Sequence, residues 1–420
     1  MPEARPSPKY IQYPGIEFVS LYRKGGYHPV NVGDVFHNQY RVVNKLGYGV
    51  HGTVWLVEDT ILKRFASLKV LTADASAISS ELAVFRHLRV QQQQIPPAAG
   101  AAYVMKVFDD FEIEGPNGTH QCVVTELLGP SLAEDIEELY TNERFPPNVG
   151  KKIAAQIAHG IAYLHRCGVI HGDLHLKNIL LHHPSLENCS LHEIQLYFGT
   201  PETLPIARRD ALPITPSAHL PRHLVASSNP LPLLKLCLAF PQTVCIKICD
   251  FGEALLYRAL SQLNINTPIQ SNMPRVFAPP EILLHEATIP QPAMDIWALA
   301  VLLHMILTGG GLLFSSYHGI EKEVIREIVL TLGKLPERWW TQWVDRGEYF
   351  DENGMFVGDQ SKLPKISRKL VKLSVDDGFS EEDLRVFEDL VRKMARYETN
   401  DRISADEVVR LIPAAWMTGA

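Results

Sequence analysis

Val169-Ile170-His171-Gly172-Asp173-Leu174-His175-Leu176-Lys177-Asn178-Ile179-Leu180 decides the fold of this 420-residue chain. It sets a histidine two residues before an aspartate and an asparagine five residues after it. That spacing arises by chance easily enough, so its weight comes from its surroundings. Downstream, Lys247-Ile248-Cys249-Asp250-Phe251-Gly252 reads as a strand ending in Asp-Phe-Gly. Upstream, Leu46-Gly47-Tyr48-Gly49-Val50-His51-Gly52-Thr53-Val54 reads GxGxxGxV between two strand-like runs. A dinucleotide-binding fingerprint needs a strand and then a helix, so this context favours a glycine flap on a hairpin, which can approach phosphate. Alone, a tight hairpin that needs glycines explains it equally well. Then comes Ala66-Ser67-Leu68-Lys69, a strand carrying a lysine. All four segments in this order leave little room for coincidence.

Over roughly residues 37 to 415 the chain resembles the eukaryotic protein kinases. The resemblance implies an α+β, two-lobed fold, with a small β-rich lobe over 37–128 and a larger helical lobe over 129–415 that carries a spacer-like insert at 184–243. It also implies Mg-ATP as phosphoryl donor. Asp173 would orient the substrate hydroxyl and accept its proton, while Asn178 and Asp250 would hold Mg²⁺. Lys69, paired with Glu81 on the following helix, would hold the α- and β-phosphates. Leu46, Gly47, Gly49, Gly52, Val54, Ser67, Glu126, Leu128 and Leu180 would surround the nucleotide, with Thr125 as gatekeeper and the hinge at Glu126 to Gly129. Pro279-Pro280-Glu281, Asp295-Ile296-Trp297 and Arg402 match further kinase features. Phe85, Val107, His171 and Phe251 are expected to stack, with Asp295 anchoring His171.

Within the kinases the chain is most similar to the serine/arginine-rich-protein kinases. The similarity rests on Tyr22-Arg23-Lys24-Gly25-Gly26-Tyr27-His28-Pro29-Val30, Gly33-Asp34, Tyr40-Arg41-Val42, Lys45-Leu46-Gly47 and Thr53-Val54-Trp55-Leu56, and on the position of the insert. It implies a protein substrate of the basic or Arg/Ser-rich kind. The segment Ser131 to Glu138 is expected to be a helix bordering the peptide groove, with an acidic face suited to such substrates or simply solvated.

Two positions depart from the kinase pattern. Gly172 stands where an arginine reads an activation-loop phosphate, which suggests activity without such phosphorylation. His175 stands where a lysine steadies the γ-phosphate, and Lys177 is expected to take over that task. The HGDLH run also resembles small-molecule phosphotransferases such as aminoglycoside and choline kinases, which lack the PPE segment, the Asp-Ile-Trp triplet and the Arg402 partner. A nucleotide-binding pseudokinase is the remaining alternative, opposed by the presence of Lys69, Glu81, Asp173, Asn178 and Asp250 together.

Composition agrees with a globular protein of two lobes. A net charge of -7 gives no basic footprint for direct nucleic-acid binding. The six cysteines lack CxxC spacing and read as buried, reduced thiols. The start, MPEARPSPKY, has no charged region followed by an apolar run, so no secretory signal is expected. The apolar stretch Ile296 to Phe314 is broken by His304, Thr308 and Gly309-Gly310-Gly311, which favours a buried helix over a membrane span. The expectation is a monomeric cytoplasmic or nuclear protein.

Residues 1–36, rich in Pro, Gly and Tyr, read as an extended arm. Strand-like runs follow at 41–43, 53–57, 68–70, 103–108 and 121–125, with a helix at 79–90. Helical periodicity recurs at 131–140, 148–167, 293–307, 320–331 and 381–397, the last with Ser380 as its cap. Between His183 and Thr243 little periodicity and several X-Pro pairs suggest a flexible or peripheral loop.

Overall fold

The computed structural model describes residues 9–94, 99–134, 139–140, 144–215, 217–257, 271–287, 289–314, 316, 319–358, 373 and 377–418. The chain forms two compact units. One comprises Met1–Leu82, Met105–Pro130 and His182–Cys237, and the other Ala83–Val104, Ser131–Leu181 and Leu238–Ala420. The first therefore takes in most of the insert that the sequence placed with the helical lobe.

The first unit is built on a six-stranded antiparallel sheet. Its strands are β1 (Val35–Phe36), β2 (Tyr40–Gly49), β3 (Gly52–Asp59), β4 (Arg64–Leu71), β5 (Val107–Gly115) and β6 (Gly118–Glu126), in the spatial order β1-β2-β3-β4-β6-β5. The alternation of Tyr40, Val42, Trp55, Val57, Ala66, Leu68, Val70, Cys122 and Val124 lays one continuous apolar layer on a single face. The expected strand at 103–108 begins only at Val107, because Ala99–Tyr103 is a 3₁₀ turn. There a Cβ on Gly100 would lie 2.0 Å from the His159 carbonyl oxygen, so the glycine allows a close backbone approach that strand geometry would not give.

The insert is not a peripheral loop. It holds helices Leu191–Phe198 and Leu231–Leu238 and a short antiparallel pair, Thr203–Leu204 with Leu224–Val225. Ser190 and Glu193 close a capping box on the first helix. Val225 enters the core of the sheet, and Leu224 joins a second cluster with Ile16, Val19, Tyr22 and Tyr27 of the arm. The arm is thus packed, not merely extended. Its Glu17, 1 % exposed, forms an ion pair with Lys45 of β2, which is wholly buried, and accepts from the Tyr22 hydroxyl at 2.5 Å. Breaking a buried pair of this kind costs about 3–5 kcal/mol, because one charge is left without its partner.

His28 and His120 meet edge to face with centroids 4.8 Å apart. Burial, and then the neighbouring His120, push the His28 imidazole down to about 4, and burial also lowers His120. Both rings therefore favour the neutral form in the folded state. Since the ordinary histidine value is about 6.5, their contribution to stability is complete above that pH and declines below it, for His28 down to about 4. Denaturant midpoints measured from pH 7.5 to 4.5 are expected to decline below pH 6.5, by at most about 1.4 kcal/mol per pH unit for each proton taken up. His28→Phe is expected to flatten that decline.

The second unit is helical. The Pro292–Thr308 helix is apolar and buried on nearly every side, with Asp295 and His304 its buried polar side chains, and stops at Gly309 in a left-handed turn (φ 72°). The Pro147–Arg166 helix is likewise buried along most of its length. Helix Glu381–Met394 begins at Ser380, whose hydroxyl accepts from the Asp383 N–H while the Asp383 carboxylate accepts in return. Its inner stripe is Phe387, Leu390, Val391 and Met394. Of the expected helix at 131–140, residues 131–134 form a bridge and turn, and 135–138 lie outside the described residues. Of the six cysteines, Cys122, Cys167, Cys237 and Cys249 are buried. Among the described residues no helix is long and apolar enough to cross a membrane.

Candidate active site

In the first unit, β2 and β3 close the glycine hairpin, with Gly49 opposite Gly52. Only Gly52 is sterically obliged to be glycine, since a Cβ there would lie 2.5 Å from the Val70 carbonyl oxygen. The other two glycines, Gly47 and Gly49, have open space beside them, and Val50 at the tip is 82 % exposed. The Tyr27 hydroxyl of the arm donates to the Gly49 carbonyl at 2.8 Å and ties the hairpin down at one point. Sequence reasoning missed this contact, because nothing local in a Gly-Tyr-His-Pro run signals a partner 22 residues away.

Lys69 lies on β4 opposite Val54 of β3, and its Nζ sits 2.9 and 3.0 Å from the two carboxylate oxygens of Glu81. Glu81 opens the Glu81–Gln94 helix and is 2 % exposed. Ser67 pairs with Thr125 of β6, both buried. Glu126 ends β6, with Leu127 and Leu128 buried just beyond, and its Oε1 accepts from the Lys106 N–H at 2.7 Å.

In the second unit, Asp173 and Asn178 occupy one loop. The Asn178 amide nitrogen donates to the Asp173 carbonyl at 2.9 Å and to its Oδ2 at 3.3 Å. The amide oxygen of Asn178 is then the end available to a cation. Asp173 Oδ1 is buried and has no hydrogen-bond partner among the described residues. The Cys249 N–H donates to the Asn178 carbonyl at 2.8 Å, which brings the next residue, Asp250, to the same loop. Asp250 is exposed and adopts a left-handed backbone (φ 60°). Leu180 follows in the Ile179–His182 strand, half-buried.

The loop is held from below by Asp295, which is fully buried in the Pro292–Thr308 helix. Its carboxylate accepts from the His171 N–H at 2.8 Å and the Gly172 N–H at 2.9 Å, and pairs with His165 Nε2 at 2.8 Å. Burial alone would push this carboxyl up, but the His165 hydrogen bond and the nearby histidines and N–H outweigh it and hold it below the usual range. The expected anchor of His171 thus acts through the backbone, while its ring is 3.0 Å from the Cys249 carbonyl. The Phe251 ring lies 5.3 Å from both Phe85 and His171, so three members of the expected stack meet. Val107 belongs to the first unit.

Gly172 is left-handed (φ 78°), and a Cβ there would stand 2.7 Å from the Glu253 carbonyl oxygen. No side chain fits, so the missing arginine is a matter of backbone shape rather than a simple exchange. His175 caps the following turn by accepting from the Lys177 N–H at 3.2 Å, and its Nε2 is 3.4 Å from Asp173 Oδ2. Lys177 itself is exposed.

Two sets of side chains result: a glycine hairpin with a carboxylate-clamped lysine, and a tethered loop with a carboxylate and two oxygen donors. The protein kinase domain family matches residues 40–192 and 237–411, and the chain belongs to that family. The stretch between the two matched segments falls within the insert. Among curated relatives, SRSF protein kinase 3 of Homo sapiens is 40 % identical over 162 residues, which is 38 % of this chain and 28 % of that protein. Serine/threonine-protein kinase SRPK of Physarum polycephalum is 28 % identical over 351 residues, 79 % of this chain and 76 % of the relative. A serine/threonine protein kinase of Aspergillus fumigatus is 26 % identical over 400 residues, 94 % and 88 % of the two chains. The chain spans little more than a quarter of the length of the first of these relatives.

Proposed function

We propose that the chain is a serine/threonine protein kinase that transfers the γ-phosphoryl of ATP to Arg/Ser-rich protein substrates. The observation that carries this is Asp173 Oδ1, buried and without a hydrogen-bond partner among the described residues, on a loop otherwise fastened by hydrogen bonds. A carboxylate oxygen with no donor already on it is open to a substrate hydroxyl, and the fastened backbone aims that oxygen. Lys69, clamped by Glu81, supplies positive charge for the α- and β-phosphates, and the hairpin of Gly47, Gly49 and Gly52 with Leu46 covers them. Val54, Ser67 and Leu180 contact the adenine, and the backbone at Glu126 and Leu128 offers it hydrogen bonds. Asn178 Oδ1 and the Asp250 carboxylate are hard oxygen donors that would hold Mg²⁺, which when bound neutralises charge on the phosphoryl oxygens. The relatives named for SRSF and SRPK kinases support the substrate class. The protein acts as a monomer in the cytoplasm or nucleus, without direct nucleic-acid or membrane contact.

The test is incubation of the purified chain with labelled ATP and Mg²⁺ against an Arg-Ser repeat peptide, an acidic peptide, a basic protein and small aminoalcohols. Label on the Arg-Ser peptide is expected. Label on the aminoalcohols alone would favour a small-molecule kinase, a reading that the 3.4 Å approach of His175 to Asp173 gives some ground for. Lys177 takes the part of the absent γ-phosphate lysine, so Lys177→Ala is expected to lower kcat about 10²-fold with KM for ATP nearly unchanged. His175→Lys is expected to be neutral or mildly activating. A silent Lys177→Ala with a crippled His175→Ala would assign the phosphate contact to His175.

A further inference from the structure

Glu126, His182 and Glu187 lie together in the first unit, and one ligand atom from each comes within 4.8 Å of the other two. We propose that they form a zinc site that fastens the start of the insert to the end of β6. The inference is independent of any kinase activity.

Three observations carry it. First, the groups come from three separate places. Glu126 ends β6, His182 ends the Ile179–His182 strand, and Glu187 sits in the Pro184–Asn188 turn. Second, the spacing suits a shared ion. His182 Nε2 is 3.7 Å from Glu126 Oε2 and 3.9 Å from Glu187 Oε1, longer than a direct hydrogen bond. Two ligand atoms on one tetrahedral zinc, each at about 2.0–2.2 Å, stand roughly 3.3–3.6 Å apart, so the two pairs that include His182 need to close by only a few tenths of an ångström, and the two carboxylate oxygens start within 4.8 Å of each other. Third, the surroundings fit. Glu126 and His182 are buried at 3 % and 8 % exposure, while Glu187 faces solvent and leaves a way in and room for a water ligand. The Lys106 N–H holds Glu126 Oε1 at 2.7 Å and so turns Oε2 toward the histidine. Such an orienting contact to a ligating carboxylate is what metal sites use.

The donor set selects the metal. One imidazole and two carboxylates suit zinc, whereas Mg²⁺ and Ca²⁺ require six or more oxygen ligands. An occupied site would tie the first turn of the insert to the strand that runs into Leu127 and Leu128.

The test uses the full chain, freed of metal by a chelator and without nucleotide. Zn²⁺ is titrated by calorimetry, and Co²⁺ serves as a spectroscopic probe of tetrahedral coordination. One equivalent of zinc is expected, with an intense tetrahedral Co²⁺ band and a rise in thermal midpoint. Glu187→Gln and His182→Gln are each expected to weaken zinc binding at least about 10-fold. Asp250→Asn, which alters the proposed Mg²⁺ ligands, is expected to leave it unchanged. Absence of saturable binding, binding that Glu187→Gln leaves intact, or binding that Asp250→Asn removes would each overturn the proposal. Glu187 is exposed, so its variant tests the site even if His182→Gln fails to fold.

Discussion

Asp173→Asn is expected to lower the rate of phosphoryl transfer by about 10²–10⁴-fold while leaving ATP affinity and the thermal midpoint close to wild type. The replacement is isosteric, and the Asp173 carbonyl keeps its hydrogen bond from Asn178. What changes is the buried, unpartnered oxygen, which in the variant is either a neutral amide oxygen or an N–H. Neither accepts a proton from a serine hydroxyl. The loss therefore falls on kcat and not on the nucleotide. Calorimetric titration with ATP beside a transfer assay checks both halves. A variant that still turns over at the wild-type rate would remove Asp173 from the mechanism.

Arg402→Ala is expected to destabilise the second unit by about 3–5 kcal/mol, read as a shift in the denaturant midpoint. The Arg402 guanidinium is fully buried, forks onto both carboxylate oxygens of Glu281 at 2.7 and 2.6 Å, and donates to the carbonyls of Ala293, Arg396 and Tyr397. It also lies 5.1 Å from the Trp297 ring centroid. Truncation leaves the Glu281 carboxylate charged and buried with three carbonyls short of a donor. Replacing both members of the pair, as Arg402→Met with Glu281→Leu, is expected to recover part of the loss, because no orphaned charge remains. Equal destabilisation by the single and double variants would contradict this account of the pair.

The parts that chemistry dictates were legible in the sequence. Gly52, Asp173, Asn178 and Asp250 follow one another in the order of the family's motifs, and the roles proposed for them, a flap over phosphate, a hydroxyl acceptor and oxygen donors to a metal, call for those residue types. The sheet was legible because Val42, Trp55, Val57, Leu68 and Val70 alternate. The insert was misread for two reasons. Its X-Pro pairs and leucine runs mask two short helices, although Ser190 and Glu193 spell a capping box. Its strands are two residues each, too short for alternation to register. The Glu17–Lys45 ion pair and the Tyr27–Gly49 hydrogen bond could not be read at all, since they join positions whose separation in the chain has no periodic meaning. The zinc cluster is of the same kind: three residues distributed over 126 to 187 that only the fold assembles.

The central claim, a working kinase whose base is Asp173, is tested most directly by following the γ-phosphoryl of labelled ATP into an Arg-Ser repeat peptide, with hydrolysis of the product to identify the labelled residue. Wild-type protein is expected to give phosphoserine or phosphothreonine at a steady rate, and the Asp173→Asn protein next to none. ATP bound by the wild-type chain without any transfer, or equal transfer by both proteins, would contradict it.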